Sequence, residues 1–158
     1  MDINVREAAI IDSEDIFTWR NDETTRQMSF TTDKVDWSGH KKWLESSLQN
    51  NSRVLYICEY SSSNGRIGIV RFDIDNDIAI ISINLNPLER GKGLSSICIN
   101  KSIDKFLESH SGITRIVAEI KQSNLFSQYA FIRAGFGFVE EVDEAMRYQL
   151  MVYERKSI

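Results

Sequence analysis

Two glycines alternating with two cations, Arg90-Gly91-Lys92-Gly93, are the residues whose types and spacing most directly suggest chemistry. An isoleucine-rich run, Ile78 to Leu85, leads through Asn86-Pro87 into this tetrapeptide, and a helix-compatible segment follows to about Ser109. The order is strand, tight loop, helix. The first N–H groups of a helix lack intrahelical partners and its dipole is positive there, so these groups, Arg90 and Lys92 are expected to face one point. Such a point suits a phosphate. A Cβ at 91 or 93 would hold a phosphate oxygen off the main chain, and glycine tolerates φ > 0 in the loop. The pattern is not a P-loop, which needs G-x-x-x-x-G-K-[ST]. Nor is it a dinucleotide fingerprint, whose third glycine would fall on Ser96. A glycine turn that merely caps a helix is the alternative reading.

Four residues are general bases by type: His40, Glu59, Glu89 and Glu119. His40 fits the pH range best, yet it lies on an apolar helical stripe with Trp37, Leu44 and Leu48, where a packed histidine is the competing reading. Glu89 most simply complements the helix N-terminus, and Glu119 reads as solvent-facing. Cys58 and Cys98 sit among isoleucines without metal-ligand spacing, which predicts buried reduced thiols and no metal site.

These residues must be positioned by one domain, spanning 1–158, with 42% hydrophobic residues and a net charge of −4. That balance is too acidic for a nucleic-acid binder, so an anionic ligand needs a local basic spot. No run approaches a bilayer span and the start resembles no signal peptide, so a cytoplasmic protein without a membrane partner is expected.

Along the chain, Ile3 to Glu7 reads as a strand, and Asp12 as the cap of a short helix ending near Asp22. Glu23 to Thr32 reads as a loop, either plain or closing over something. Asp36 caps a second helix to Asn50. Val54 to Tyr60, Arg66 to Ile74 and Ile78 to Leu85 form an antiparallel meander. The helix after the glycine loop is apolar all round in its first turns, with Leu94, Ile97 and Cys98 opposite Ile99, Ile103 and Phe106. Ile113 to Lys121 is a strand, Asn124 to Arg133 a helix closed by Gly135, and Phe136 to Val142 with Met146 to Tyr153 a last pair of strands.

Arg90-Gly91-Lys92-Gly93-Leu94-Ser95 resembles the R-x-x-G-x-G/A pyrophosphate loop of the GNAT acyltransferase superfamily, with Ser95 in the last small position. Asn124 through Ser127 and Phe131 to Gly135-Phe136 is similar to that family's N-x-x-[AS]-x-x-x-Y-x-x-x-G-F segment. The resemblance implies an α/β (α+β) fold with a mixed, mostly antiparallel twisted sheet of about seven strands flanked by about four helices, splayed after the fourth strand. It also implies acetyl-coenzyme A as co-substrate, held by Leu85, Arg90, Gly91, Lys92, Gly93, Leu94, Ser95, Asn124, Ser127 and Phe131, with the thioester against the backbone of Leu85. Family members often carry a tyrosine acid where this chain has Phe131. Water or Ser127, one turn back on the same face, then protonates the leaving thiolate, whereas Tyr129 lies about 200° round the helix and points elsewhere.

Trp19-Arg20-Asn21, Arg26, His40-x-x-Trp43 and Gly68-x-x-Arg71-Phe72 look like the pattern of bacterial N-acetyltransferases acting on nucleotide-linked 4-amino sugars, of the pseudaminic acid pathway type. In such a site Trp19 and Trp43 lie flat on a sugar or base, Asn21 bonds hydroxyls, and Arg20 and Arg26 take a diphosphate; His40 is placed on the substrate side. A core tryptophan with Arg20 snorkelling over it is the competing reading. The implied reaction is direct attack of a primary amine on the thioester in a ternary complex, by a monomer or homodimer acting on a small molecule. A peptide α-amine acetyltransferase and a non-catalytic acyl-coenzyme A binding module are the alternatives.

Overall fold

A computed structural model of the chain describes residues 2–156. Seven strands form one sheet in the order β1-β2-β3-β4-β5-β7-β6: β1 (Ile3–Glu7), β2 (Arg53–Tyr60), β3 (Arg66–Asp75), β4 (Ile78–Leu85), β5 (Arg115–Lys121), β6 (Gly137–Val142) and β7 (Ala145–Met151). Every pairing is antiparallel except β4 with β5. The helices are α1 (Ser13–Asn21), α2 (Glu23–Gln27), α3 (Trp37–Gln49), α4 (Ser95–Ser109), α5 (Leu125–Arg133) and α6 (Val152–Lys156).

Strand alternation divides the apolar residues between two cores. Tyr56, Cys58, Val70, Phe72, Ala79 and Ile81 point to one face and pack on α4 and α5, with Phe72 stacked on Phe106 at 4.1 Å between ring centroids. Leu55, Ile57 and Ile69 point to the other, where they meet Ile16 and Trp19 of α1 and Leu44 of α3.

β4 is flanked by β3 along its whole length, through the Gly68–Leu85 pair, but by β5 only from Ile78 to Ile80. The sheet therefore splays after the fourth strand, as expected. Gly68 allows the close approach of β3 at this end, since a Cβ there would lie 2.8 Å from the Asn84 carbonyl oxygen.

Four local expectations need correction. Six α-helices are present among the described residues where about four were expected, because two five-residue helices occupy stretches read as loop and strand. The first, α2, forms because the Asp22 carboxylate accepts from the Thr25 N–H at 3.1 Å. Asp12 precedes α1 but does not cap it with its side chain. Its buried carboxylate turns back to the Ala9 N–H (2.8 Å) and to Arg6 and Arg66 (2.8 and 3.0 Å), pinning the start of α1 to β1 and β3. Burial alone would raise its pKa, but the Arg6 hydrogen bonds, the Ala9 N–H and the two guanidinium charges hold it below the usual range. Finally, the first turns of α4, though apolar all round and so expected to be buried on both sides, are not fully covered: Leu94 and Cys98 are buried, whereas Ile97 is exposed.

Both cysteines are buried free thiols, with Cys58 Sγ 3.6 Å from Ser102 Oγ. Among the described residues no helix is long and apolar enough to cross a membrane, and no group of three His, Cys, Asp or Glu side chains is placed to hold a metal ion.

Candidate active site

The opening between β4 and β5 leads into a cavity of about 1100 Å³ that passes through the sheet and meets both layers of helices. Its β4 wall is built from main chain. On one edge of β4 the Asn86 N–H donates to Ile67 O at 2.8 Å; on the other, Asp77 O accepts from the Thr114 N–H at 2.8 Å. Peptide groups alternate between edges along a strand, so beyond the Ile80–Val117 pair those of Ile83 and Leu85 face the side that β5 has vacated. Both residues line the cavity. Backbone donors and acceptors left without a strand partner call for one, which an amide-bearing ligand running along β4 would supply.

The glycine loop forms the next wall. Gly91 and Gly93 have φ of +77° and +72°, and a Cβ at either position would have no atom within 4 Å, so the approach to the main chain is open. Leu94, at the N-cap of α4, offers no side-chain cap, and the first turn, Ser95 and Ser96 included, borders the cavity. N–H groups without a side-chain cap and the positive end of a helix dipole form a cradle that can receive an anion. The two cations are arranged differently from the expectation. Lys92 is not among the lining residues; its ammonium pairs with Glu89 at 3.0 Å, and Glu89 also accepts from Tyr60 Oη at 2.5 Å. Arg90 does line the cavity, but its guanidinium is held by Asp22 Oδ2 and Thr25 Oγ1, both at 2.7 Å, which ties the loop to α2.

On α5, Asn124 caps the helix through the Ser127 N–H (3.2 Å), and its Nδ2 donates to Ser127 Oγ at 3.0 Å. One lone pair of the Ser127 hydroxyl is thus occupied while its proton stays free to donate into the cavity. Phe131 is buried against Phe136, edge to face at 5.1 Å, and brings no hydroxyl. Tyr129, expected to point elsewhere, also borders the cavity.

The other end of the cavity lies on the α1 and α3 side, and here several expected ligand contacts turn out to be scaffold. Trp19 is 3% exposed and sits in the core with Ile16 and Leu44, because α1 can cover the sheet only with this face. Asn21 clamps the Val35 peptide from both sides, donating to its carbonyl and accepting from its N–H, each at 2.9 Å. His40 is buried. Its Nε2–H donates to Ser13 O at 2.9 Å, which leaves Nδ1 as the acceptor for Arg20 Nη1 at 3.1 Å. Both ring nitrogens have protein partners and His40 is not among the residues that line the cavity, so its ring is placed as scaffold between Ser13 and Arg20. Arg26 lines the cavity, but it donates to Asn21 O (3.2 Å) and Thr32 O (3.1 Å), holding the loop after α2 in shape.

Arg20 and Trp43 do border the cavity, with the guanidinium carbon 4.5 Å from the Trp43 ring centroid. Arg71 joins them from β3, at 5.8 Å from the same ring. Sequence reasoning quoted Arg71 within the Gly68-x-x-Arg71-Phe72 pattern but gave it no ligand contact. The alternation Ile69, Arg71, Asp73 was the signal, since it turns Arg71 to the face that carries α1 and α3. Of the four bases by type, Glu119 alone lines the cavity, with Arg147 Nη2 3.6 Å from its Oε1; Glu59 is bound by Asn4 and Arg6, and Glu89 by Tyr60 and Lys92.

A family model described as the acetyltransferase (GNAT) domain matches residues 2–137, and the chain belongs to that family. A search among curated proteins gives no match. Among solved structures, spermidine N-acetyltransferase from Vibrio cholerae, in complex with CoA and spermine, superposes with a TM-score of 0.84 at 15% identity, over 94% of this chain and 95% of that one. Aminoglycoside acetyltransferase AAC(6')-Ib, in complex with coenzyme A and kanamycin, gives 0.80 at 18% identity over 99% and 100%. A domain from Methanocaldococcus jannaschii gives 0.82 at 21% identity over 95% and 98%. The fold of all three is the fold of this chain.

Proposed function

We propose that this acetyltransferase moves the acetyl group of acetyl-coenzyme A to the amine of a nucleotide-linked amino sugar, as a single cytoplasmic domain. The charge of the cavity carries the choice of acceptor. Of its charged lining residues, Arg20, Arg26, Arg71, Arg90, Lys121 and Arg133 are basic and only Asp33 and Glu119 acidic, although the whole chain has a net charge of −4. Polyamines and aminoglycosides are polycations, which such a lining repels. An acceptor bearing phosphates matches it.

The residues present fit coenzyme A. The open glycine cradle at Gly91 and Gly93 and the first turn of α4 suit its pyrophosphate, and the free edge of β4 suits the amides of its pantetheine arm. When bound, the co-substrate supplies an activated thioester, so the chain needs no nucleophile of its own. The chain holds the reactants side by side, and the Leu85 N–H, aimed into the opening, offers a hydrogen bond to the thioester carbonyl oxygen. Glu119, on β5 across the opening, takes the proton that the amine must lose. Ser127, with its hydroxyl fixed by Asn124, gives a proton to the departing sulfur.

Mass spectrometry of nucleotide-linked amino sugars, spermidine, kanamycin and N-terminal peptides incubated with acetyl-coenzyme A tests the acceptor. Acetylation of a sugar nucleotide is expected; acetylation confined to the polyamine or the peptides would overturn the reading. Ser127→Ala is expected to lower kcat at least about tenfold with KM unchanged. An effect within about twofold would assign that proton to water instead.

A further inference from the structure

Three guanidinium groups stand on the acceptor side of the cavity, and their partners differ. Arg26 spends its donors on two backbone carbonyls of its own loop. Arg71 uses only Nε, on Asp73 Oδ2 at 2.8 Å, and that carboxylate is shared with Arg53 at 2.7 Å. Arg20 has no carboxylate partner among the described residues; one terminal nitrogen meets a neutral histidine. Of the three cations Arg20, Arg53 and Arg71, two therefore share the one carboxylate of Asp73, and Arg20 has none. Two of those cations share the Trp43 ring. Burial, and then the charge of Arg71, press the Arg20 pKa down.

Half-buried like charges are costly unless something neutralises them, and a ring face offsets only part of that cost. A guanidinium with both terminal nitrogens unspent presents a fork that matches phosphate oxygens. His40, locked between Ser13 and Arg20, acts as a positioning residue that holds the Arg20 guanidinium over Trp43.

We propose that Arg20 and Arg71, set together against Trp43, form the seat for a phosphate group of the acceptor. This deepens the sugar-nucleotide reading and rests on it. The seat lies on the α1 and α3 side of the sheet, whereas the glycine cradle belongs to the loop before α4, so each phosphate-bearing ligand has its own anchor. Arg71 takes the part that sequence reasoning gave to Arg26.

Calorimetric titration of UDP and of inorganic pyrophosphate into protein saturated with coenzyme A reads this seat without turnover. Wild-type protein is expected to bind both. Arg20→Gln and Arg71→Gln should each weaken UDP binding at least about tenfold, Arg71→Lys should fall between, and Arg26→Gln should change it less than about threefold. The coenzyme A dissociation constant should stay the same in all four, and unchanged thermal unfolding should show that each is folded. Wild-type affinity for UDP in folded Arg71→Gln would overturn the seat while leaving the sugar-nucleotide reading intact. No binding of either probe to wild-type protein, with spermidine or a peptide acetylated instead, would overturn both.

Discussion

The two faces of the sheet meet the same cavity with different materials. On the α4 and α5 face the wall is largely main chain: the vacated edge of β4, the positive-φ glycines and the uncapped first turn of α4. On the α1 and α3 face it is side chains, and most of their hydrogen-bonding capacity is already committed to neighbours. Asn21 holds Val35, His40 holds Ser13, and Arg26 holds the loop after α2. A binding wall made of backbone can be free and still well ordered, because the strand and helix hold it. One made of polar side chains is ordered only by spending the same donors that a ligand would need. Arg20 and Arg71 are exceptions on that face, and they are the residues left with charge to offer.

The largest expected effect that would break this contrast is that of Trp19→Ala. If Trp19 is core, the variant loses about 3–5 kcal/mol in urea unfolding, while the folded protein keeps its KM for the amine. A raised amine KM with stability intact would return Trp19 to the ligand wall. Next comes Gly93→Val, which places a β-branched residue at φ +72° in the open cradle. Coenzyme A affinity should fall well over tenfold, roughly the loss of one or more phosphate contacts, and equal affinity by calorimetry would remove the cradle from the cofactor wall.

The smallest effect tests the scaffold reading of His40 through pH. Burial first, and then the charge of Arg20, hold its pKa below the ordinary value, against the opposing pull of the Ser13 carbonyl. The unfolded chain takes up this proton near its ordinary pKa of about 6.5 and the folded chain resists it, so below that pH the unfolded state binds more protons. Stability should therefore fall as pH drops from about 7 through about 6.5 towards the lower folded value. Denaturant midpoints across that range should slope less steeply in His40→Gln than in wild type; equal slopes would mean that the ring is not held neutral.

The same contrast explains what could be read from sequence. The order of the strands and of the longer helices and the glycine loop before α4 were legible, because period, glycine spacing and a cap such as Asp36 are local signals, whereas the opening after the fourth strand was expected only from the family resemblance. Which of Trp19, Asn21, Arg26 and His40 face a ligand was not legible. That depends on partners far along the chain, as with His40 and Ser13 or Arg20 and Arg71, and no spacing rule carries such pairings. Asp12 shows the same limit: it stands where a cap belongs, yet two arginines from β1 and β3 outbid the helix for its carboxylate. Arg71 was within reach, since alternation from Ile69 fixes its face, but its place beside Trp43 required α3 to be docked.

Peptide groups are the same whatever residue bears them. The edge of β4 that faces the opening is therefore indifferent to the identity of Ile83 or Leu85, so long as the strand keeps its curvature and β5 keeps its distance. Such a wall lets a sequence drift while the groove persists. The acceptor side has no such freedom, because there each exchange of a side chain changes what the cavity can hold. Divergence in this fold should accordingly register first as a change of acceptor.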